Sequence, residues 1–327
     1  MKVSIIIPFW NVADYVDRCM RSVTAQTHSD LEIIAVDNAS TDKTGEKLKK
    51  WAEADSRIKI ITMDENTGPG PARNAALDTA TGEYICFVDG DDCISPFYTE
   101  KLLGWASDND CKIALCGYSL NDSKTPPESC AVSLELNCPE IIGAKDYFER
   151  LYTDKEILYV VVWNKIYHRS IFEGVRFADM LNEDDEIIRH VIDKTDKIAV
   201  CYDSLYFYTV RQGSIMKSSF RPEKMAVFGA YEDRIDYFDS KGWYDLSFMT
   251  MRGYMVKCLE MKRLVTDDVE NAKGYRLILN TMRKDMMKRA AKCPVRSKRF
   301  LLRMRYYLTI GKFKEEDRAK LLFGKQT

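Results

Sequence analysis

No stretch of this 327-residue chain approaches the roughly 18–20 consecutive apolar residues that a membrane-spanning helix needs. Met1-Lys2 is followed only by the short run Val3 to Ile7 and then Pro8, too brief for the core of a secretory signal. Histidine is scarce, with three, and the ten cysteines include no C-x-x-C pair, so neither a zinc site nor a disulfide framework fits. Charge of one sign is not in excess either: 49 Lys and Arg stand against 50 Asp and Glu, which argues for neither nucleic acid nor a strongly acidic partner. Internal repeats and low-complexity tracts are lacking. These absences leave a globular chain, long enough for one large domain or two moderate ones. It is expected in a reducing, cytoplasmic setting, with its cysteines serving as small core residues.

What is present is an alternation of strand and helix signals over the first hundred residues. The continuous apolar runs Val3-Ile7, Leu31-Val36, Ile58-Thr62 and Tyr84-Val88 read as strands covered on both faces. Helices are expected between them: one from Asn11 as cap through Val23, one over Thr44-Ala54 and one over Ala72-Ala80. Strands separated by helices in this way imply an α/β fold with a mostly parallel sheet. Further strands are expected at Ile113-Cys116, Leu158-Val162 and Ile198-Tyr202, with a loop over Asn121-Pro127. Beyond Arg221 the pattern is helical, clearest over Lys224-Ser240 and Met249-Val265.

Strand ends are where ligands bind in an open α/β sheet, and here each carries polar chemistry. The first ends in Pro8-Phe9-Trp10-Asn11, where Trp10 offers an aromatic face for a flat base. The second ends in Asp37-Asn38-Ala39-Ser40-Thr41-Asp42, whose first two side chains can accept from a base N–H or a ribose hydroxyl, or cap the next helix. After the third come Asn66 to Asn74, with glycines that permit close backbone approach and Arg73 near a helix start, a combination that favours a diphosphate. No Gly-Lys-Ser/Thr follows, so this is not a Walker A loop. The fourth ends in Asp89-Gly90-Asp91-Asp92, three carboxylates in one turn. Hard divalent cations take such oxygens together with substrate phosphates.

Pro8 to Asn11, Gln26-Thr27, Val36 to Asp42, Asn66 to Asn74 and Asp89 to Asp92 occur in an order and at intervals that resemble glycosyltransferase family 2, nucleotide-sugar-dependent enzymes of GT-A fold. Two departures are Trp10 for the commoner Tyr, which keeps stacking, and Asn38 for the commoner second Asp, which removes a charge. The resemblance implies a nucleotide-sugar site formed by Pro8, Trp10, Asn11, Asp37, Asn38, Arg73, Asp89 and Asp91, with Trp10 on the nucleobase and Arg73 facing the diphosphate. It implies Mn²⁺ or Mg²⁺ on Asp92 with Asp91. Val162 to Tyr167, then Glu183-Asp184-Asp185, continue the likeness and make Asp184 the expected base, although the four acids Glu183 to Glu186 at a helix start also suit the macrodipole. Tyr206-Phe207-Tyr208, Arg211 and Gly213-Ser214-Ile215 match a further family stretch.

The implied reaction is transfer of a sugar, with inversion, from a nucleoside-diphosphate donor (UDP or dTDP ahead of GDP) to a hydroxyl of a saccharide or lipid-linked saccharide. The implied setting is capsule, exopolysaccharide or O-antigen synthesis. Two alternatives stay open: a catalytically silent nucleotide-sugar-binding protein, and a sugar-nucleotide pyrophosphorylase, whose Gly-rich loop after the first strand is missing here. The expected division is a catalytic domain over 1–220 (1–108 on the nucleotide-sugar side, 109–220 on the acceptor side) and a helical region over 221–327. Within 282–313, Arg and Lys interleave with Met, Leu, Phe and Tyr. That pattern suits an anionic membrane surface, and so peripheral attachment at the inner face of the cell membrane; a basic face that is merely solvated is the plainer reading. Without a companion binding fold, nucleic acid is not expected.

Overall fold

Val3 to Ile7 is wholly buried, and this strand organises the sheet. The computed structural model describes residues 1–121, 137–153, 155–210, 220–267 and 269–310, with side chains to 305. In chain order the elements are β1 (Val3–Phe9), α1 (Ala13–Thr24), β2 (Leu31–Asp37), α2 (Thr44–Ala54), β3 (Ile58–Thr62), α3 (Pro69–Leu77), β4 (Tyr84–Phe87), β5 (Cys93–Ile94), α4 (Tyr98–Asp108), β6 (Ile113–Asn121), β7 (Glu140–Gly143), α5 (Ala144–Leu151), α6 (Glu156–Val160), β8 (Lys165–His168), α7 (Glu183–Ile192), β9 (Lys197–Thr209), α8 (Val227–Ser240), α9 (Tyr244–Leu264), α10 (Ala272–Lys292) and α11 (Lys298–Ile310).

The sheet runs β3-β2-β1-β4-β8-β6-β9-β5, with β7 also on β9. It is an open mixed sheet flanked by helices, parallel from β3 through β4 and again between β6 and β9. The antiparallel pairings come from the short strands β8, β5 and β7. Register decides what meets what. Phe9 pairs with Asp37, Asp37 with Thr62, and Ile6 with Phe87, so β1 to β4 all finish at one edge. Because β8 is antiparallel to β4, with Cys86 opposite Ile166, it begins at that edge. Lys165 and the residues before it are therefore brought beside the end of β4.

Two compact units divide the chain: residues 1–147 with 157–214, and residues 148–156 with 215–327. The first is built on the sheet. The second is helical, cored by residues such as Phe228, Ile235, Met251, Met255 and Leu279. Residues 148–156, on the acceptor side in the sequence division, belong to this second unit.

Some elements differ from expectation for identifiable reasons. Leu158-Val162 was expected as a strand, but Glu156–Val160 is a helix. A short apolar run does not distinguish the two by periodicity, and here buried polar side chains take the carbonyls of Leu158 and Val161. Helix α3 starts at Pro69 rather than Ala72, since Gly68 adopts φ 79° and Pro occupies the first turn. Lys224 lies in a 3-10 turn over Pro222–Ala226 that precedes α8, and α9 begins at Tyr244 rather than Met249. Of the expected Asn121-Pro127 loop, Asn121 ends β6 and 122–127 lies outside the described residues, as do Arg211 and Gly213-Ser214-Ile215. Eight of the nine described cysteines are buried, Cys138 being the exception.

Candidate active site

The loops after β1 and β2 are stitched together before any ligand is considered. Asn11 sits at φ 51° and does not cap α1. Its Oδ1 accepts from the Thr41 amide (2.8 Å), while the free amides of Val12 and Ala13 donate to Thr44 Oγ1 and Asp42 Oδ2 (3.0 Å each). The helix start is thus satisfied from the neighbouring loop, and Asn11 becomes a cross-link. Pro8 stays within β1, its carbonyl close against Gly90. Trp10 lies at this junction 44% exposed, so part of its side chain is open to a partner. Asp37 is buried, with Oδ1 accepting from the Ser40 amide (3.0 Å) and Oδ2 lying where a Cβ on Gly45 would stand 2.4 Å away.

Asn38 turns inward instead of toward a ligand. It is 2% exposed; Nδ2 donates to Asn66 Oδ1 (2.9 Å) and the Gly68 carbonyl (3.0 Å), and Oδ1 accepts from the Thr67 amide (3.2 Å). Expected as a base or ribose contact, it is a brace for the β3–α3 loop. An amide can donate and accept at once, whereas the commoner Asp cannot, which gives the substitution a physical reason.

Arg73 also departs from expectation. It does not face an open diphosphate cradle: at 2% exposure it is enclosed by carboxylates. Nη2 pairs with Asp89 Oδ1 (2.8 Å), and Nη1 with Glu183 Oε1 (2.5 Å) and Asp184 Oδ1 (3.4 Å). The guanidinium packs near the rings of Phe177 (5.3 Å) and Phe87 (6.0 Å). Burial alone would lower its affinity for a proton, but Asp184, Asp89 and Glu183 outweigh that and hold it above its ordinary value. Three carboxylates from two distant parts of the chain converge only because a cation sits among them. Gly70 makes the approach possible, since a Cβ there would fall 2.5 Å from the Ala178 carbonyl. Asn74 fixes the same segment by exchanging two bonds with the Phe177 backbone (2.8 and 3.0 Å).

The acidic turn itself is divided. Gly90 is required by packing, a Cβ there lying 2.4 Å from the Phe9 ring. Asp89 keeps 29% of its side chain exposed and Asp91 is half-buried. Asp92, the expected metal ligand, is 1% exposed, and both its oxygens are engaged by protein: Tyr206 Oη donates to Oδ2 (2.7 Å) and the Thr209 amide to Oδ1 (2.6 Å). Burial, then the charges of Asp91 and Asp89, push its carboxyl well above the usual range. Tyr206 also receives the Asp89 amide (3.0 Å) and stacks on Trp163 at 4.1 Å. Arg18 donates to the Asp91 carbonyl and to Thr209 Oγ1. Asp92 therefore ties the turn to β9, leaving Asp89 and Asp91 as the acids nearer solvent.

Asp184 lies in the first turn of α7, its side chain 17% exposed. Oδ2 accepts from the Val162 amide (3.3 Å) while Oδ1 meets Arg73. Burial pushes its carboxyl up to about 7; Arg73 pulls down, Glu183 and Asp89 push up, and the Val162 amide pulls down. Beneath it, Lys165 is fully buried, with Nζ donating to the carbonyls of Leu158 (3.0 Å) and Val161 and to Asn164 Oδ1 (2.8 Å). All three ammonium protons have acceptors. Burial brings Lys165 down to about 7, against the opposing pull of Asp184 and Cys116. Asn164 Nδ2 bonds the Cys116 and Leu158 carbonyls (2.9 and 3.1 Å). These two side chains hold the turn that aims the Val162 amide at Asp184.

Comparison with known proteins agrees with the motif reading. The model for "Glycosyl transferase family 2" matches residues 4–176. The chain belongs to that family. GlyA, a glycosyltransferase of Streptococcus pneumoniae, is 31% identical over 247 residues, which is 74% of this chain and 35% of GlyA. Among solved structures, Staphylococcus aureus TarS residues 1–349, in complex with UDP-GlcNAc, aligns at TM-score 0.60 and 19% identity over 98% of this chain and 82% of that one. The mannosyltransferase PcManGT of Pyrobaculum calidifontis, in complex with GDP-Man and Mn²⁺, aligns at TM-score 0.51 and 15% identity over 99% and 88%. At those identities the likeness shows the fold, and the fold is GT-A.

For this family 2 chain, the structure gathers Trp10, Asp37, Arg73, Asp89, Asp91 and Asp184 around one sheet edge, and turns Asn38 and Asp92 into the protein. Sequence reasoning missed five participants. Glu183 was seen only as part of an acidic helix start. Arg18 and Thr209 carried no motif. Tyr206 and Lys165 stood inside quoted motifs without a role, and their burial is what reveals one. No group of three or more His, Cys, Asp or Glu forms a ready-made cation site among the described residues.

Proposed function

We propose that the chain is an inverting glycosyltransferase that moves a sugar from a nucleoside-diphosphate donor to a hydroxyl of a saccharide or lipid-linked saccharide, in surface-polysaccharide synthesis. The observation that carries this is the convergence of Asp89, Glu183 and Asp184 around Arg73, at the sheet edge where the strand leading to the partly exposed Trp10 also ends. Trp10 stacks on the nucleobase, and the Asp37 carboxylate accepts from a base N–H, the N3–H in the UDP or dTDP donors read ahead of GDP. TarS was solved with UDP-GlcNAc and PcManGT with GDP-Man, so the base is the point that needs testing.

The exposed oxygens of the turn suit a hard divalent ion, Mn²⁺ or Mg²⁺, that takes one or two carboxylates and completes its shell with phosphate and water. Asp91 with Asp89 fits that donor set better than buried Asp92. When bound, such an ion supplies charge stabilisation to a departing diphosphate. The protein does the rest. Arg73 neutralises the carboxylates so that they stay together, and Asp184 takes the proton of the acceptor hydroxyl as the new bond forms. A group titrating near 7 is well matched to that task at neutral pH. The Val162 amide and Arg73 fix its orientation, which is positioning catalysis.

The test is Asp184→Asn, read by radiolabelled-donor transfer and by calorimetry with UDP- and dTDP-sugars. Transfer is expected to fall by at least about a hundredfold, the scale of a lost general base, while donor binding persists. Wild-type transfer rates in the variant would overturn the assignment. A lipid-linked acceptor would bring the working enzyme to an anionic membrane surface.

A further inference from the structure

Helix α10 buries Leu279, Arg283, Met286 and Ala290 in the helical unit. The opposite side is unusual for a solvated helix. Lys273, Leu277, Thr281, Lys284, Lys288 and Lys292 are all exposed and follow at steps of three or four residues, so they form one stripe. Leu277 is 67% exposed, Ile278 beside it 47%, and Val295 just past the helix 51%. On α11, Leu302 is 68% exposed between Arg299 and Arg303. From Ala272 to Arg305 twelve Lys and Arg stand against Asp285 alone, and Asp285 is tied to Lys288 at 2.8 Å. A helix face that needs only solvation mixes its signs and keeps large apolar side chains few. Here the apolar side chains are interleaved with cations of one sign.

We infer that this stripe, centred on Leu277, Lys284 and Lys288, is the surface by which the chain docks on an anionic lipid bilayer. It rests on the proposed lipid-linked acceptor and names the residues that bring the enzyme to it. Leucine and isoleucine enter the headgroup–acyl boundary, while lysine stems lie along it and keep their ammonium groups among the lipid phosphates. Nucleic acid is a poorer match, because the stripe has no aromatic side chain on which a base can stack. A second copy of the same face is poorer still, since an isologous contact sets lysine against lysine. No helix among the described residues is long and apolar enough to cross the bilayer, so docking of this kind is peripheral.

Flotation of the full chain with phosphatidylcholine vesicles, with and without phosphatidylglycerol, tests this. Binding is expected only with the anionic lipid and should weaken as salt rises. Each lysine near such a surface is worth about fivefold in partition, so Lys284→Ala with Lys288→Ala should lower binding roughly 25-fold. Leu277→Ser should lower it as well, with melting temperature unchanged in both variants. Absence of flotation, equal binding to neutral vesicles, or wild-type binding by the double variant overturns the inference. So does a stripe that retains RNA or drives dimerisation while floating nothing. Donor hydrolysis and calorimetry in free solution report the proposed reaction separately, so failure at the membrane and failure of the chemistry are distinguishable.

Discussion

Replacing Asp184 by Asn should raise thermal stability at neutral and alkaline pH while changing little near pH 4. In the folded protein Asp184 titrates near 7 against an ordinary 3.8, with burial the largest cause and the attraction of Arg73 insufficient to cancel it. Between those two values the folded chain holds a proton that the unfolded chain has released. Stability therefore falls as pH rises across that window, the loss being absent below about 4 and complete above about 7. Each pH unit is worth about 1.4 kcal/mol, which sets a ceiling of about 4 kcal/mol. Water penetration and relaxation bring a realistic figure to about 1–2 kcal/mol, given an effective dielectric near 20 even at buried sites. Asparagine mimics the protonated acid in shape and charge and escapes the loss. For a sheet unit of roughly 200 residues, that corresponds to about 2–8 °C in melting temperature at pH 8. Scanning calorimetry of both proteins from pH 4 to 8.5 measures it. A variant less stable than wild type at pH 8 would show that Asp184 is a stabilising ion-pair partner of Arg73, and the argument for a poised base would fall with it.

Other changes separate the roles of neighbouring residues. Trp10→Ala should weaken donor binding by about tenfold in titration calorimetry, as expected for one lost base stack, while Trp10→Phe retains most of it. Asp91→Asn should remove the Mn²⁺-dependent part of donor affinity without lowering the melting temperature, whereas Asp92→Ala, which leaves the buried Tyr206 hydroxyl and Thr209 N–H without their acceptor, should lower it. Arg73→Met should cost about 3–5 kcal/mol in denaturant unfolding, because it leaves buried carboxylates without their cation. Arg73→Lys should not restore it, since a single ammonium cannot bridge Asp89 and Glu183 as a fork does.

Much of the sheet was legible because parallel strands covered on both faces leave continuous apolar runs, and the intervening turns announce themselves. Thr44–Ala54 and Ile58–Thr62 are observed with the expected bounds, and the carboxyl ends of β1 to β4 carry the expected loops. What was not legible is which way a polar side chain turns. Asp89, Asp91 and Asp92 are equivalent as letters; their difference is made by Tyr206 and Thr209, more than a hundred residues away. Asn38 looked like a ligand contact because it ends a strand, yet its partners are Asn66 and Gly68 on the next loop. Leu158-Val162 has β-branched composition, but the carbonyls of Leu158 and Val161 answer to Lys165, a tertiary contact that local propensity does not contain.

The same reasoning explains why Arg73 is at the centre and not at the mouth of the site. Aspartates brought close at one sheet edge repel, and each would rather protonate than remain charged in a partly buried place. A guanidinium held by Phe177, Phe87 and the α3 turn lets Asp89 and Glu183 share one fixed counter-charge at 2.8 and 2.5 Å. Asp184, at 3.4 Å, is the least tightly paired of the three. Burial, only partly offset by that pairing, is what lets one carboxyl rise to about 7 beside a permanent cation. Were Arg73 equidistant from all three, Asp184 would be held as a firm carboxylate, too weak a base to take a proton from an alcohol near neutrality.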